Sequence, residues 1–305
     1  SSDIYILGVS QSDFARNWAR EGKGIYEMFE ESLREAVDNA DIEPAEIEVG
    51  HVGNFVGELF ARQGLLGGLF AHVYPELAAL PTSRHEAACA SGSIAIMSAM
   101  RDIEAGHYQM ACVLGLELMR NVDGKTGAEY LGAAAWNGRE ATPEDCDFPW
   151  PHMFDRLTEE YDRRYGIKAD HLNSIAGINF ANAKLNPRAQ TRKWELAQGA
   201  FSCNDELNPV IEGRVRKQDC GQITDGAACV ILASESKAKE YAAKHGLALG
   251  DIPRIKGWGH RSAPILLSRK LEISADAPLV FPHAAQCLQE AAQRAGFAGA
   301  AQLDG

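Results

Sequence analysis

The chain is predicted to fold as an α/β protein, with a mostly parallel sheet covered by helices. Two observations predict this. Apolar runs with strand character alternate with stretches of helical periodicity through roughly the first 120 residues, the pattern of stacked β and α layers. A helical stretch near the end also repeats one near the start: Leu33, Glu35, Ala36 and Ala40 recur as Leu288, Glu290, Ala291 and Ala295, a constant offset of 255 (288 − 33 and 295 − 40). So short a match does not establish a duplication alone.

Taken in order, Ile4–Val9 reads as a buried strand, and Ile25, Phe29, Leu33, Val37 and Ala40 mark the first helix. An extended apolar run follows at Val49–Val56. Residues 57–80, rich in Gly, Leu and Phe, read as helical core packing or as a subunit interface. A short extended segment then leads into Cys89, and Ile96, Met100 and Ile103 place a helix that Gly106 ends. Met110–Gly115 is the next strand. From 121 to 218 the pattern loosens into a loop-borne excursion containing Pro149-Trp150-Pro151-His152-Met153-Phe154 and an amphipathic helix around Thr158–Tyr165. Arg214, Arg216 and Lys217 read as a solvated charged turn, with phosphate contact the lesser alternative. Asp225–Leu232 is a second apolar strand.

With 46% hydrophobic and 24% charged residues, the 305-residue chain has the make-up of a soluble globular protein of one or two domains. The 42 acidic against 30 basic residues give a charge of −12, which argues against nucleic acid or an anionic membrane as the main partner. Seven cysteines without a C-x-x-C pair indicate neither a zinc site nor a disulfide framework, and fit a reduced cytoplasm. No run reaches the ~18 apolar residues of a membrane span, and no targeting signal is visible.

Chemistry concentrates at His85-Glu86-Ala-Ala-Cys89-Ala90-Ser91-Gly92-Ser93. A cysteine at a helix start meets unpaired backbone N–H groups and the positive end of the helix dipole, both of which favour the thiolate. Small neighbours leave room for an acyl group. On this run alone a buried, structural cysteine is the commoner outcome. Two further segments shift the balance: Gly115-Leu116-Glu117-Leu118-Met119, and Asp225-Gly226-Ala227-Ala228-Cys229-Val230-Ile231-Leu232.

Together, and in this order, the three segments resemble the thiolase superfamily, in particular sterol-carrier-protein-type thiolases and acetyl-CoA acetyltransferases. The resemblance implies a duplicated β/α layered fold with a loop-domain insertion. It divides the chain into a nucleophile-bearing half (1–120), the insertion (121–218), a return strand and helix (219–250) and the start of a second half (251–305). Cys89 would accept the acyl group of a coenzyme A thioester, which is a substrate and not a cofactor. Trp150, His152, Met153 and Phe154 would wall the coenzyme A and acyl site, although such a cluster also suits the excursion's own small core.

The resemblance further implies a homodimer or tetramer, or a hetero-complex, in which Thr82–Ala87 pairs with its copy across a two-fold axis, and the cysteine usage places it in the cytoplasm. The second half is expected to be incomplete. Gly115 plus the offset is position 370, 65 residues beyond Gly305, and a second sheet would hold at most strands near Ala228–Leu232 and Arg254–Trp258. The histidine base of the family is expected in the absent part; Gly259-His260 is followed by Arg261 and does not match its motif. The alternatives are a non-catalytic thiolase-like subunit, or the acyltransferase component of a complex with a non-thioester acceptor.

Overall fold

The computed structural model describes residues 3–303. It opens with β1 (Ile4–Gln11), α1 (Ile25–Ala40), β2 (Val49–Gly53), the single-turn helices α2 (Gly57–Phe60) and α3 (Phe70–Val73), β3 (Thr82–His85), α4 (Ser91–Glu104) and β4 (Met110–Glu117). The excursion contributes α5 (Gly124–Leu131), α6 (Pro149–Tyr165), α7 (Ala169–Leu185) and the hairpin β5 (Val210–Glu212) with β6 (Val215–Arg216). After it come β7 (Gly226–Ser234), α8 (Glu235–His245), β8 (Arg254–Ile255), α9 (Leu267–Ile273) and α10 (Pro282–Arg294).

The main sheet has the order β3-β2-β4-β7-β1-β8. It is mixed, which corrects the expectation of a mostly parallel sheet: β2 is parallel to β3 and β4, while β7 is antiparallel to both β4 and β1. The cause is the excursion. Gly226, which opens β7, pairs with Glu117, which closes β4, so the excursion leaves and re-enters at one end of the sheet, and a strand rejoining there runs backwards. That end is also where β3 delivers the chain to Cys89, because β2 and β3 run parallel to β4.

Helices cover both faces. On one, Phe29, Leu33 and Val37 of α1 and Ala238 and Ala242 of α8 pack against Leu7, Val52, Leu114 and Ile231. On the other, Ala95, Ala99, Met100 and Ile103 of α4 pack against Ile4, Val49, Val113 and Leu232. Each fully buried Leu or Ile contributes about 1.5–3 kcal/mol, and burial on both faces explains the near-continuous apolar strands. At Gly8 the helix comes so close that a Cβ would lie 2.5 Å from the Cβ of Ala40.

The segment after β8 repeats that device. A Cβ on Gly257 would lie 3.0 Å from the nitrogen of Ala295, the residue 255 positions after Ala40. The expected second sheet is not formed among the described residues: Ala228–Leu232 lies inside the first sheet, and Arg254–Ile255 joins its edge beside β1. α10 therefore rests on the Gly257–Gly259 backbone. It buries only Ala292 and leaves Leu288 48% exposed. α9 packs instead on the excursion, where the Glu140 carboxylate accepts the Leu267 N–H at 3.0 Å.

Candidate functional site

Between β3 and α4 the chain makes one tight turn. Ala88 lies in the left-handed region at φ 49°, a conformation that costs an alanine about 1–2 kcal/mol. Neighbouring bonds hold it there. Ser91 Oγ accepts the Ala87 N–H at 2.9 Å and donates to the Ala88 carbonyl at 2.6 Å, Ala90 N donates to the Ala87 carbonyl at 3.0 Å, and the Glu86 carboxylate accepts the Ala88 N–H. The turn leaves Cys89 exposed, two residues before the first residue of α4. A thiol presented at a helix N-terminus can act as a nucleophile toward a carbonyl carbon.

Gly53 sets the height of that terminus. A Cβ on Gly53, at the end of β2, would lie 2.7 Å from the Cα of Gly92, so α4 descends directly onto the strand end. A Cβ on Gly92 would meet nothing within 4 Å, so the space beside it is open. Cys112 and Cys229 contrast with Cys89. Both are buried on adjacent strands with their sulfurs 3.4 Å apart, and each thiol's neighbour together with burial pushes the Cys112 thiol up.

Two acids, Glu117 half-buried and Asp225 fully buried, close this end of the sheet, one in each of the other motif segments. Burial pushes the Glu117 carboxyl up, against the pull of N–H donors from Phe55 and Val56; it also accepts from Asn54 Nδ2 at 3.1 Å. Asn54 donates again to the Leu116 carbonyl at 2.8 Å and accepts from Gly57 N at 2.9 Å, which ties the loop after β2 to β4. Asp225, fully buried, accepts the N–H groups of Trp18, Met119 and Arg120 at 3.1, 2.8 and 2.8 Å. It joins the segments after β1 and β4 to the start of β7. The sequence reading quoted both acids without a role for either.

It also missed a polar array beneath the turn. His51 of β2 places Nε2 2.8 Å from Asp102 Oδ2 of α4 and Nδ1 2.9 Å from His85 Nε2 of β3; Ser83 Oγ lies 3.2 and 3.0 Å from the same two ring nitrogens. The signal was present as alternation on β3 (Ser83, His85) and a four-residue spacing on α4 (Ser98, Asp102).

The four residues expected to wall the substrate all fall on the first turns of α6, which begins at Pro149, earlier than the helix read around Thr158. Proline suits the opening positions of a helix, where its missing N–H costs nothing. Trp150 and Met153 join Ala141, Leu267 and Leu271 in a small core, and Trp150 Nε1 donates to the Leu131 carbonyl at 3.1 Å. His152 turns to Glu212 at 3.2 Å, while Phe154 is 56% exposed. Arg214 and Arg216 are engaged by Asp162 and Asp205, each at 2.7 Å. His260 is exposed.

A cavity of about 460 Å³ lies between α7 and the segment before β7, lined by Phe14, Phe180, Gln190 and Gln218 among others; a second, of about 350 Å³, is lined by Tyr130, Glu140 and Cys146. Cys89 lines neither. Among the described residues no cluster of His, Cys, Asp and Glu could hold a metal ion, and no helix is long and apolar enough to cross a membrane.

Comparison with known proteins places the chain in a family. The chain is 29% identical over 240 residues to an acetyl-CoA acetyltransferase of Methanothermobacter thermautotrophicus, covering 78% of this chain and 59% of that protein. It is 30% identical over 274 residues to an acetyl-CoA acetyltransferase of Methanocaldococcus jannaschii, covering 90% of this chain and 65% of that one. It thus spans about three fifths of the length of these relatives. Among solved structures, the acetyl-CoA acetyltransferase from Syntrophomonas wolfei superposes with a TM-score of 0.63 at 15% identity, over 97% of this chain and 76% of that chain, and so shares the fold. The model of the thiolase N-terminal domain matches residues 4–198, and the chain belongs to the thiolase family.

Proposed function

We propose that the protein carries the nucleophile of a thiolase-type acyltransferase acting on coenzyme A thioesters. The Cys89 thiolate adds to the thioester carbonyl carbon, a new carbon–sulfur bond forms, and the bond to coenzyme A breaks with departure of its thiolate. Backbone N–H groups at the start of α4, that of Cys89 included, stabilise the oxyanion. The acyl group then passes to an acetyl-coenzyme A carbanion, or, in the opposite direction, thiolysis of a 3-oxoacyl thioester loads it. Acylation exchanges one thioester for another; in the condensation the carbanion carbon bonds to the acyl carbonyl carbon as the Cys89 thiolate departs, and neither step changes an oxidation state through an outside oxidant or reductant.

The observation that carries this reading is the exposed Cys89 at the start of α4, beside the open space at Gly92. The base that takes the thiol proton is assigned to the part of the relatives that this chain does not cover. Of the proposed wall, Phe154 is exposed, with its ring free for an acyl chain, and His152 faces Glu212, while Trp150 and Met153 hold α6 in place from within. We assign 1–120 and 219–250 to the first half, 121–218 to the insertion and 251–305 to the start of the second half. We place the subunit contact at β3, an outer strand of the main sheet, as a two-fold pairing of Thr82–Ala87 in a cytoplasmic dimer or larger complex.

The test is acid quenching after exposure to acetyl-coenzyme A, followed by peptide mass spectrometry. An acyl group is expected on the peptide containing Cys89 and on no cysteine peptide of Cys89→Ala. Acylation of another cysteine, with Cys89 unmodified, would refute the assignment.

A further inference from the structure

The α4-facing side of the sheet is apolar from β1 to β4 and turns polar at its β2–β3 edge, where His51, Ser83, His85, Ser98 and Asp102 converge. The His51 side chain is 5% exposed and that of Asp102 33%. A nearly buried imidazole in line with a second one, backed by a carboxylate, restricts where protons can sit.

As a carboxylate Asp102 only accepts, so His51 must present Nε2–H to it and keep Nδ1 bare. That bare Nδ1 accepts from His85 Nε2–H at 2.9 Å or from the Ser83 hydroxyl at 3.2 Å. In either case His85 is the Nε2–H tautomer, and its bare Nδ1 faces Ser98 Oγ at 3.4 Å. One added proton fits. His51 becomes imidazolium against Asp102, His85 shifts to the Nδ1–H tautomer and donates to Ser98, and its bare Nε2 accepts from His51. A second proton does not fit, because it sets two N–H donors and two positive charges against each other across 2.9 Å.

We propose that Asp102, His51 and His85 form a proton-gated latch on the strand that leads into Cys89: it holds with both rings neutral or with one added proton on the pair and opens when both rings are imidazolium. The strand register puts His51 beside Ser83 of β3 and Val113 of β4, so Asp102 is the charged group facing the pair. Arg84 points to the opposite face and pairs with Glu58, and Arg101, Glu104 and Glu86 are exposed. Burial lowers the proton affinity of both rings, and the charge of His51 lowers that of His85 further, which favours two separate steps. His85 is four residues before Cys89, and the intervening turn already holds Ala88 in a left-handed conformation, so release of β3 acts directly on the thiol's position.

The test follows the imidazole nitrogens of the intact protein by long-range proton–nitrogen correlation from about pH 8 down to about pH 4.5, together with amide exchange over residues 82–89. Both rings are expected as Nε2–H at the alkaline end, then to titrate in two steps more than about one pH unit apart. Exchange over 82–89 should rise about tenfold at the second step only. Asp102→Asn should lower the first midpoint by about one unit, and His85→Gln should abolish the second step and its exchange rise. A single shared midpoint, an Nδ1–H tautomer of His51 at alkaline pH, or an exchange profile blind to the second step would each overturn the latch. If a variant does not fold, the tautomers and step pattern of the unsubstituted protein decide alone. The consequence for acyl transfer rests on the function proposed above and is read separately, as the acylation rate relative to His85→Gln across the second step. Failure of Cys89 to acylate leaves the titration and exchange results standing.

Discussion

Replacing Gly53 by alanine should disable the site from beneath. The new Cβ would lie 2.7 Å from Gly92 Cα, 2.8 Å from Gly92 N and 2.9 Å from the carbonyl carbon of Ser91, all backbone atoms that cannot rotate away. Carbon atoms rest at about 3.5–4.0 Å, so the start of α4 must retreat from β2 by about 1 Å. Overpacking of this kind costs about 1–3 kcal/mol, and a nucleophile misplaced by about 1 Å loses on the order of a hundredfold in rate. Gly53→Ala is therefore expected to lower the urea midpoint moderately while reducing Cys89 acylation about a hundredfold. Gly92→Ala is the matched control. Its Cβ meets nothing within 4 Å, so stability should hold or rise by up to about 1 kcal/mol, the ordinary helix gain of alanine over glycine. Unchanged stability and unchanged Cys89 reactivity in Gly53→Ala would refute the claim that Gly53 sets the height of the helix terminus.

Three other perturbations have defined outcomes. In the folded protein iodoacetamide should label Cys89 well before buried Cys112 and Cys229, and equal labelling of all three would remove the basis for a nucleophile at 89. Asp225→Asn replaces one acceptor oxygen by a donor among three backbone N–H groups, so a loss of about 2–4 kcal/mol by chemical denaturation is expected; a loss below about 0.5 kcal/mol would show that the junction it ties is not structural. Burial raises the Glu117 carboxyl above the ordinary glutamate value of 4.5, so the folded state holds that proton more tightly than the unfolded one. Stability contributed by this group must then fall as pH rises from the unfolded value through the folded one. Glu117→Gln should flatten that part of the profile, and an unchanged slope would contradict the burial argument.

Much of the first half was legible in the sequence because its signals are local and periodic. The apolar spacing of Ile96, Met100 and Ile103 and the glycine at 106 locate α4 to within a few residues, and the short extended segment read before Cys89 is β3. Strand direction was not legible. Whether β7 runs with or against β4 depends on where a long excursion re-enters the sheet, and nothing in the letters of Asp225–Leu232 encodes that. The aromatic cluster at 150–154 was misplaced relative to its helix because two prolines in a row of aromatics read as an irregular segment, whereas both fall in the first turn of α6, where a helix tolerates them. The His51–Asp102 contact joins residues 51 positions apart through the packing of α4 on β2, and no single-segment pattern could have paired them.

Direction of travel through the sheet also explains why chemistry collects where it does. β1, β2, β3 and β4 all point the same way, and the loops that leave their carboxyl ends contain Trp18, Asn54, Cys89 and Arg120. Because β7 starts beside the end of β4, the roots of the excursion stand at that same rim, and Asp225 can gather three N–H groups from the loops after β1 and β4 with one carboxylate. Open sheets place ligands at the carboxyl ends of parallel strands because there the helix N-termini converge and the loops are free to vary. That rule is consistent with the site proposed at the Cys89 turn: α4 is the helix that follows β3 directly, and Gly53 beneath it lets its first turn approach β2 more closely than any side chain would allow.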